Sequence, residues 1–147
     1  MSRADQFAEL DPSVAARWHR FGKSDEVFYP QLLNISVEEV RVDYCRMRMT
    51  YKPELLQPAR VVHGGAIASL LDAVIVPAVG AAYPPRTDFS TIDMHVQFLS
   101  AVRDSDVIGE GWVVRRGRSI IFCESESTSA DTGKVVARSV LTYRVSL

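Results

Sequence analysis

Hydrophobic residues follow two different periods along this chain, that of a helix and that of a strand. Apolar residues recur at helical spacing over residues 7–21, with Asp11 placed as an N-cap and Pro12 at the first helical position. This pattern predicts an amphipathic N-terminal helix, broken near Asp11, that packs its apolar stripe on the rest of the protein or on a partner. Residues 22–33 contain a proline and predict a connector.

A nearly continuous apolar run occupies the middle of the chain. Between Ala66 and Val79 the only polar residues are Ser69 and Asp72. A helix that is apolar on all sides is a buried helix. The run therefore predicts a long central helix that Pro77 kinks or ends, because proline removes a helical hydrogen bond. A carboxylate inside such a helix is costly to remove from water, so we expect Asp72 to be a buried acid that the chemistry requires.

The remaining segments are typical of strands. In them apolar and polar residues alternate with a period of two, and turn residues separate one segment from the next. The predicted strands are 34–40, 43–51, 92–98, 107–114, 119–128 and 135–145. Residues 131–134 predict a hairpin turn. One long helix against successive antiparallel strands predicts an α+β fold.

The start of the central helix has the features of a site for an oxygen atom that carries negative charge. His63 precedes Gly64 and Gly65, and a glycine lets a ligand approach the backbone closely. The first N–H groups of a helix have no partner within it, and the helix dipole makes this end positive. A purely structural interpretation stays open, in which His63 caps a glycine-rich turn into a core helix.

The spacing of Gly64 and Asp72 bears on assembly. The two residues are eight positions apart, about 12 Å along a helix axis. Catalytic contacts need about 3 Å, so one small carbonyl group cannot contact both residues of the same helix. If both act on one reacting atom, they belong to two copies of the chain whose helices run antiparallel across a two-fold axis. This predicts an active-site dimer, on the condition that the two residues share one reaction.

These residues resemble a known family, the hotdog-fold thioesterases. The resemblance is carried by His63-Gly64-Gly65 and by Asp72, nine positions after the histidine. It extends through residues 90–99, 115–119 and 132–137. The similar branch contains the phenylacetate-pathway and 4-hydroxybenzoyl-CoA types. The resemblance implies an antiparallel sheet wrapped around one central helix.

The expected organisation is one domain over residues 1–147. Within it, residues 1–22 form a helical extension, and about 34–147 form the hotdog core that the resemblance implies. By family likeness, the predicted dimer can pair further into a tetramer.

The resemblance also implies roles for individual residues. Asp72 corresponds to the family's acid, which attacks the thioester or activates water; members differ on which. The backbone N–H of Gly64 polarises the carbonyl, Gln57 hydrogen-bonds near the carbonyl or sulfur, and His63 orients that pocket. Thr91 corresponds to a Ser or Thr that helps hold the attacking water in some members. The implied activity is hydrolysis of an acyl-CoA thioester to a free acid and coenzyme A.

An arginine cluster between two predicted strands is a second candidate site. Guanidinium groups bind phosphate well, so the cluster is a candidate contact for the phosphates of coenzyme A. A solvated turn is the alternative interpretation. The substrate-binding candidates are Gly65, Arg115, Arg116, Gly117, Arg118 and Ser119.

Composition argues against several other classes of protein. The positive charges of 17 Lys and Arg residues nearly cancel the negative charges of 18 Asp and Glu residues. The chain therefore lacks the net positive charge that favours binding to nucleic acid. The two cysteines and three histidines lack metal-ligand spacing. No Gly-x-Ser-x-Gly elbow or dinucleotide fingerprint occurs. We expect no metal and no cofactor besides the coenzyme A of the substrate.

The expected location is the cytoplasm. The central apolar run is interrupted by Asp72 and Pro77 and is shorter than the roughly 20 residues of a membrane span. The first residues include Arg3, Asp5 and Glu9 and do not form the apolar run of a signal peptide. We therefore expect no membrane partner.

Two other functions stay open. A hotdog hydratase or dehydratase acts on an enoyl or hydroxyacyl thioester, but that branch uses a histidine base in a different motif. A non-catalytic acyl-CoA binder is the second, and the joint presence of Asp72, His63 and Gln57 argues against it. The acyl group depends on a pocket built from several strands, and the sequence does not specify it.

Overall fold

A six-stranded antiparallel sheet is the frame of the protein. The computed structural model describes residues 2–146. Its strands are β1 (Ile35–Arg41), β2 (Tyr44–Met49), β3 (Asp88–Phe98), β4 (Val107–Arg116), β5 (Ile120–Ser129) and β6 (Val135–Ser146). Their order in the sheet is β1-β2-β4-β5-β6-β3. β3 therefore lies at an edge beside β6, although it precedes β4 in the chain.

Four α-helical segments and two short 3-10 helices, Arg3–Gln6 and Pro53–Leu55, accompany the sheet within residues 2–146. The α-helical segments are labelled α1 to α4. They are α1 (Pro12–Trp18), α2 (Tyr29–Leu32), α3 (Gly64–Ala73) and α4 (Ile75–Gly80). Together α3 and α4 form the predicted central helix, with an interruption at Val74. The interruption precedes Pro77 by less than one turn, because the proline ring clashes with the carbonyl group four residues earlier.

The central helix packs across one face of the sheet. α3 contacts β3 to β6, and α4 contacts β1, β2, β4 and β5. Glycines on β4 permit the close approach: a Cβ atom at Gly109 would lie 2.9 Å from Leu70, and one at Gly111 would lie 2.7 Å from Ile75. Both helix side chains are fully buried. The predicted α+β hotdog fold, a sheet around one central helix, is confirmed.

Five of the six predicted strands agree with the structure within two residues at each end. The exception is β3, which begins at Asp88 and not at residue 92. Its pairing with β6 shifts register between Thr91 and Asp93, so Ile92 forms a bulge. A bulge reverses the alternation of side chains, and the period-two pattern therefore indicated only the part of β3 after Ile92.

The N-terminal region contains one correct prediction and one error. The Asp11 carboxylate accepts a hydrogen bond from the Ser13 backbone N–H at 2.8 Å, and Pro12 opens α1 as predicted. The connector predicted over 22–33 is wrong at Tyr29–Leu32, which forms the single turn α2. Its proline lies in the first helical turn, where no N–H is needed.

Within residues 2–146, no helix has the length and apolarity to cross a membrane.

Candidate active site

The helix α3 buries one side and leaves another accessible. Ala66, Ile67, Leu70 and Leu71 are buried, whereas Ser69 and Asp72 on another stripe are half-buried. The expectation of a fully buried Asp72 is therefore wrong for the single chain. The accessible stripe consists of small residues apart from Asp72, and a hydrophobicity pattern does not distinguish such a stripe from a buried one.

The Asp72 carboxylate is held through one of its two oxygen atoms. Tyr143 Oη donates to Asp72 Oδ1 at 2.7 Å, and Thr91 Oγ1 donates to the same atom at 2.8 Å. Thr91 and Tyr143 lie directly opposite each other on β3 and β6, which brings both hydroxyls to one point. Among residues 2–146, no side chain or backbone group donates a hydrogen bond to Asp72 Oδ2. The structure thus brings the predicted residues Asp72 and Thr91 together.

Tyr143 is a site residue that sequence reasoning missed. It is 2% exposed and lies in the interior stripe of β6 between Leu141 and Val145. Burial, together with the negative charge of Asp72, raises the pKa of Tyr143 well above its usual range. The phenol therefore remains protonated and donates its hydrogen at every physiological pH. Strand alternation predicts that Tyr143 faces the helix, but only the tertiary structure identifies Asp72 as its partner.

His63 caps the other end of α3, in agreement with the structural interpretation of the sequence, and its implied role in orienting the pocket stays a prediction. His63 Nδ1 accepts a hydrogen bond from the Gly65 N–H at 2.8 Å. The His63 carbonyl accepts from the N–H groups of Ala66 at 3.0 Å and Ile67 at 3.2 Å. Within the described residues 2–146, the Gly64 N–H has no acceptor, so it is the free donor of the first turn.

A depression of about 360 Å³ opens beside Gly64. Gln57 lines it together with apolar side chains that include Ile67, Phe98 and Leu99. A Cβ atom on Gly64 would lie 3.3 Å from the Phe98 ring, which is tighter than an ordinary contact. Glycine at this position therefore lets the Phe98 ring pack closely against the start of α3. The structure brings together Gln57 and Gly64, as the sequence predicted.

The predicted catalytic residues form two groups and not one. Gly64, His63 and Gln57 lie at the start of α3, whereas Asp72 and Thr91 lie near its end. α3 is continuous from Gly64 to Ala73, so the separation of about 12 Å along its axis applies. One chain therefore presents two half-sites, and no small substrate group contacts both.

The arginines of the cluster lie in different surroundings. Arg116 donates to the Asp43 carboxylate and to the Val79 carbonyl at 3.4 Å, and its guanidinium lies 5.3 Å from the centre of the Tyr83 ring. These contacts give Arg116 a structural role between the sheet and the end of α4. Its neighbour Arg115 is exposed.

The hairpin that carries these arginines turns at Gly117. The Gly117 N–H donates to the Ile120 carbonyl at 2.9 Å, and a Cβ atom there would clash with that oxygen. Beyond the turn, Arg118 and Ser119 line a surface depression of about 470 Å³ together with Arg144. Phosphate binding by this hairpin stays a prediction.

Within 2–146, no cluster of three or more His, Cys, Asp or Glu side chains is placed to hold a metal ion. Cys45 and Cys123 are free and buried. Burial raises the pKa of the Cys123 thiol to about 12, so it remains protonated at neutral pH.

The antiparallel sheet around one central helix defines a hotdog protein. Residues 59–136 match the family model described as the thioesterase superfamily. The chain belongs to this superfamily. The family prediction and the assignment as a thioester hydrolase are confirmed.

Individual relatives agree with this membership. The chain is 28% identical over 131 residues to a Saccharolobus solfataricus protein to which an esterase activity is ascribed, covering 89% of this chain and 91% of the relative. A thioesterase structure from Haemophilus influenzae has a TM-score of 0.80 at 18% identity, covering 95% of this chain and 94% of that one. A hypothetical thioesterase from Streptococcus pneumoniae, solved with coenzyme A, has a TM-score of 0.69 at 21% identity and covers 77% and 86%.

Proposed function

We propose that the protein hydrolyses acyl-CoA thioesters at a site shared between two copies of the chain. The observation that carries the proposal is the pair of half-sites on one uninterrupted helix. A free N–H group stands at Gly64, and a carboxylate with one unoccupied oxygen stands at Asp72. Each half supplies what the other lacks: a donor for the carbonyl oxygen, and a base or nucleophile for the carbonyl carbon.

The surface around α3 supports a dimer. β3 is an edge strand, and Ile92 on it and Phe98 at its end are 53% and 54% exposed. An exposed apolar edge strand is a template for pairing with another chain. A two-fold axis beside this edge would run two α3 helices antiparallel, so that Gly64 of one copy faces Asp72 of the other.

The reaction follows from these positions. The Gly64 N–H donates to the thioester carbonyl oxygen and stabilises the negative charge that develops there. Asp72 of the second copy removes a proton from water as the water oxygen adds to the carbonyl carbon, or attacks that carbon directly. Cleavage of the carbon–sulfur bond then releases the coenzyme A thiolate, which takes up a proton. When Asp72 attacks directly, this cleavage leaves an acyl–Asp72 anhydride, which water hydrolyses to the free acid and the regenerated carboxylate. Gln57 hydrogen-bonds near the carbonyl or the sulfur, and Thr91 helps to hold the water.

Coenzyme A is the proposed carrier of the acyl group. Arg115 and Arg118 are exposed, and Arg118 shares a depression with Arg144 and Ser119. Such a group of guanidinium and hydroxyl donors suits phosphate. The Streptococcus pneumoniae thioesterase of the same fold was solved with coenzyme A, which supports this assignment. We place the protein in the cytoplasm and propose that no cofactor is needed beyond the substrate.

A panel of acyl-CoA thioesters tests the function. Aromatic, short aliphatic and long aliphatic substrates are compared by the release of free thiol, with the Asp72→Asn variant as the control for non-enzymatic hydrolysis. We expect at least one class to be hydrolysed by the wild type alone. Hydration of an enoyl thioester without thiol release would instead favour the hydratase alternative. Tight binding of every thioester without turnover would favour a binding protein.

A further inference from the structure

The two oxygen atoms of the Asp72 carboxylate have different surroundings. Oδ1 accepts hydrogen bonds from both Tyr143 and Thr91, whereas Oδ2 accepts none from residues 2–146. A carboxylate oxygen with two strong donors is fixed in place and has little capacity left to accept a proton. Oδ2 is therefore the oxygen that is free to react, and the donors to Oδ1 determine where it points.

The two donors differ in how firmly they are held. Thr91 is exposed on the edge strand β3, whereas Tyr143 is 2% exposed on β6, which pairs with a strand on each side. The Tyr143 ring belongs to the hydrophobic core, so its hydroxyl has little freedom to move. The same hydroxyl also lies 3.0 Å from the Asp72 backbone oxygen, so it contacts both the main chain and the carboxylate.

No charged side chain among residues 2–146 forms an ion pair with this carboxylate. α4 carries no ionisable side chain, and β3 directs Asp93 and His95 to the outer face of the sheet, away from Thr91. β5 contributes the buried Cys123 thiol beside Tyr143, and on β4 the nearby guanidinium of Arg116 is paired with Asp43. Among residues 2–146, no salt bridge involves Asp72. Its stabilisation comes from the two hydroxyls.

We propose that Tyr143 is the positioning residue of the active site: its hydroxyl fixes Asp72 Oδ1 and aims Oδ2 at the thioester. This inference rests on the proposed thioesterase function. Hydrogen bonds to a carboxylate favour its charged form. A charged and oriented Asp72 is what both general-base and nucleophilic catalysis require.

Tyr44 provides a matched control for Tyr143. It is 1% exposed, and its hydroxyl donates to a carboxylate, Glu110 Oε1, at 2.6 Å. Its ring stacks on Phe7 of the N-terminal segment at 5.0 Å, away from α3. Tyr44→Phe and Tyr143→Phe therefore remove the same atom from equally buried rings, and only one of them has Asp72 as its partner.

The experiment compares kcat, KM and their pH dependence in the wild type and in these two variants. For Tyr143→Phe we expect kcat to fall by about tenfold or more, with KM within about twofold, because a misplaced reacting group slows the chemical step without weakening binding. The acidic limb of the pH profile should move to higher pH, because the charged carboxylate loses a donor. Tyr44→Phe should leave both quantities at wild-type values.

A wild-type pH profile in an active Tyr143→Phe variant would overturn the proposal. Equal loss of kcat in both tyrosine variants would also overturn it, because that result indicates general loss of stability. If Tyr143→Phe fails to fold, Thr91→Val removes the second donor to the same oxygen and should shift the acidic limb in the same direction. An unshifted limb in Thr91→Val would then contradict the role of the Oδ1 donors.

A direct titration separates this proposal from the proposed function. The side-chain carboxyl carbon of Asp72 is followed by NMR as the pH is lowered, in the wild type and in Tyr143→Phe. We expect protonation at higher pH in the variant, and this readout does not depend on turnover. An inactive wild type would contradict the thioesterase assignment alone. An unchanged titration would contradict the role of Tyr143 alone.

Discussion

The two ends of α3 provide chemical groups in different ways. At the Gly64 end the proposed functional atom is a backbone N–H, and local features create it: a histidine cap, a missing side chain and the start of a helix. At the Asp72 end the proposed functional atom is a side-chain oxygen, positioned by hydroxyls from β3 and β6. The first end is a product of local sequence, whereas the second depends on the pairing of distant strands.

This difference predicts how each end will respond to mutation. A backbone donor cannot be deleted by replacing its own side chain, so the Gly64 end is changed only by filling space near it. The Asp72 end can be changed one hydrogen bond at a time. The following predictions test whether the two ends act in one reaction. They also test whether activity is lost by crowding at the Gly64 end and by loss of charge at the Asp72 end.

The largest expected effect is that of Asp72→Asn. Asn has nearly the same shape, and its side-chain oxygen still accepts from Tyr143 and Thr91, so the fold should persist. It lacks the charge that base or nucleophilic catalysis requires, and we expect turnover to fall by at least about a hundredfold. Thiol-release kinetics measure the loss, and thermal melting checks the fold. Turnover within a few-fold of the wild type would remove Asp72 from the mechanism.

The same contrast accounts for what the sequence could predict. The helix and its cap depend on short-range patterns, and the structure places them as expected. The roles of Gly64 and Gln57 that the resemblance implies stay predictions. Tyr143 was missed because its role depends on the pairing of β3 with β6, which is a long-range contact. The exposure of Asp72 was misjudged because small residues on one stripe of α3 resemble a buried surface.

The arginine hairpin shows the same limit of sequence reasoning. Three arginines within four residues looked equivalent, but the structure pairs Arg116 with Asp43, which is 73 positions away in the chain. It also brings Arg144 of β6 beside Arg118. Neither contact has a signal in the local pattern, because each depends on how distant segments are brought together by the fold.

A second prediction tests whether the two ends meet across a dimer. An Asp72→Asn chain is mixed with a Gly64→Val chain, in which the larger side chain meets Phe98 and blocks the N–H. Random exchange makes half of the dimers mixed, and each mixed dimer keeps one intact site of two, so we expect about a quarter of wild-type activity. Each variant alone should remain far below that level. Well-mixed chains with no recovery would contradict a shared site.

A third prediction sharpens the account of the Gly64 end. Gly64→Ala keeps the N–H group but adds a Cβ atom 3.3 Å from the Phe98 ring. We expect kcat to fall by about tenfold, because crowding displaces the donor or the ring from its position. Combining it with Phe98→Leu should recover part of the loss by freeing space. A double variant no more active than Gly64→Ala would show that contact with Phe98 is not the cause.

The smallest expected effect is that of Arg118→Ala. This variant tests whether the phosphates of coenzyme A bind at the hairpin near the Asp72 end of α3. Arg118 lies beyond the hairpin whose Arg116 contacts the end of α4, so its phosphate contact would be remote from the reacting carbonyl. Remote contacts bind substrate and transition state equally, so KM should rise about two- to fivefold while kcat stays constant. Added salt should reduce the difference, because it screens exposed charges.

Arg138→Ala is the matched control: it removes the same charge from an exposed side chain on the outer face of the sheet. A thioester of pantetheine, which lacks the nucleotide, should not distinguish Arg118→Ala from the wild type. If Arg118→Ala raised KM equally for that shorter substrate, the phosphates would bind elsewhere. The Gly64 end of α3 would then be the next place to test for coenzyme A binding.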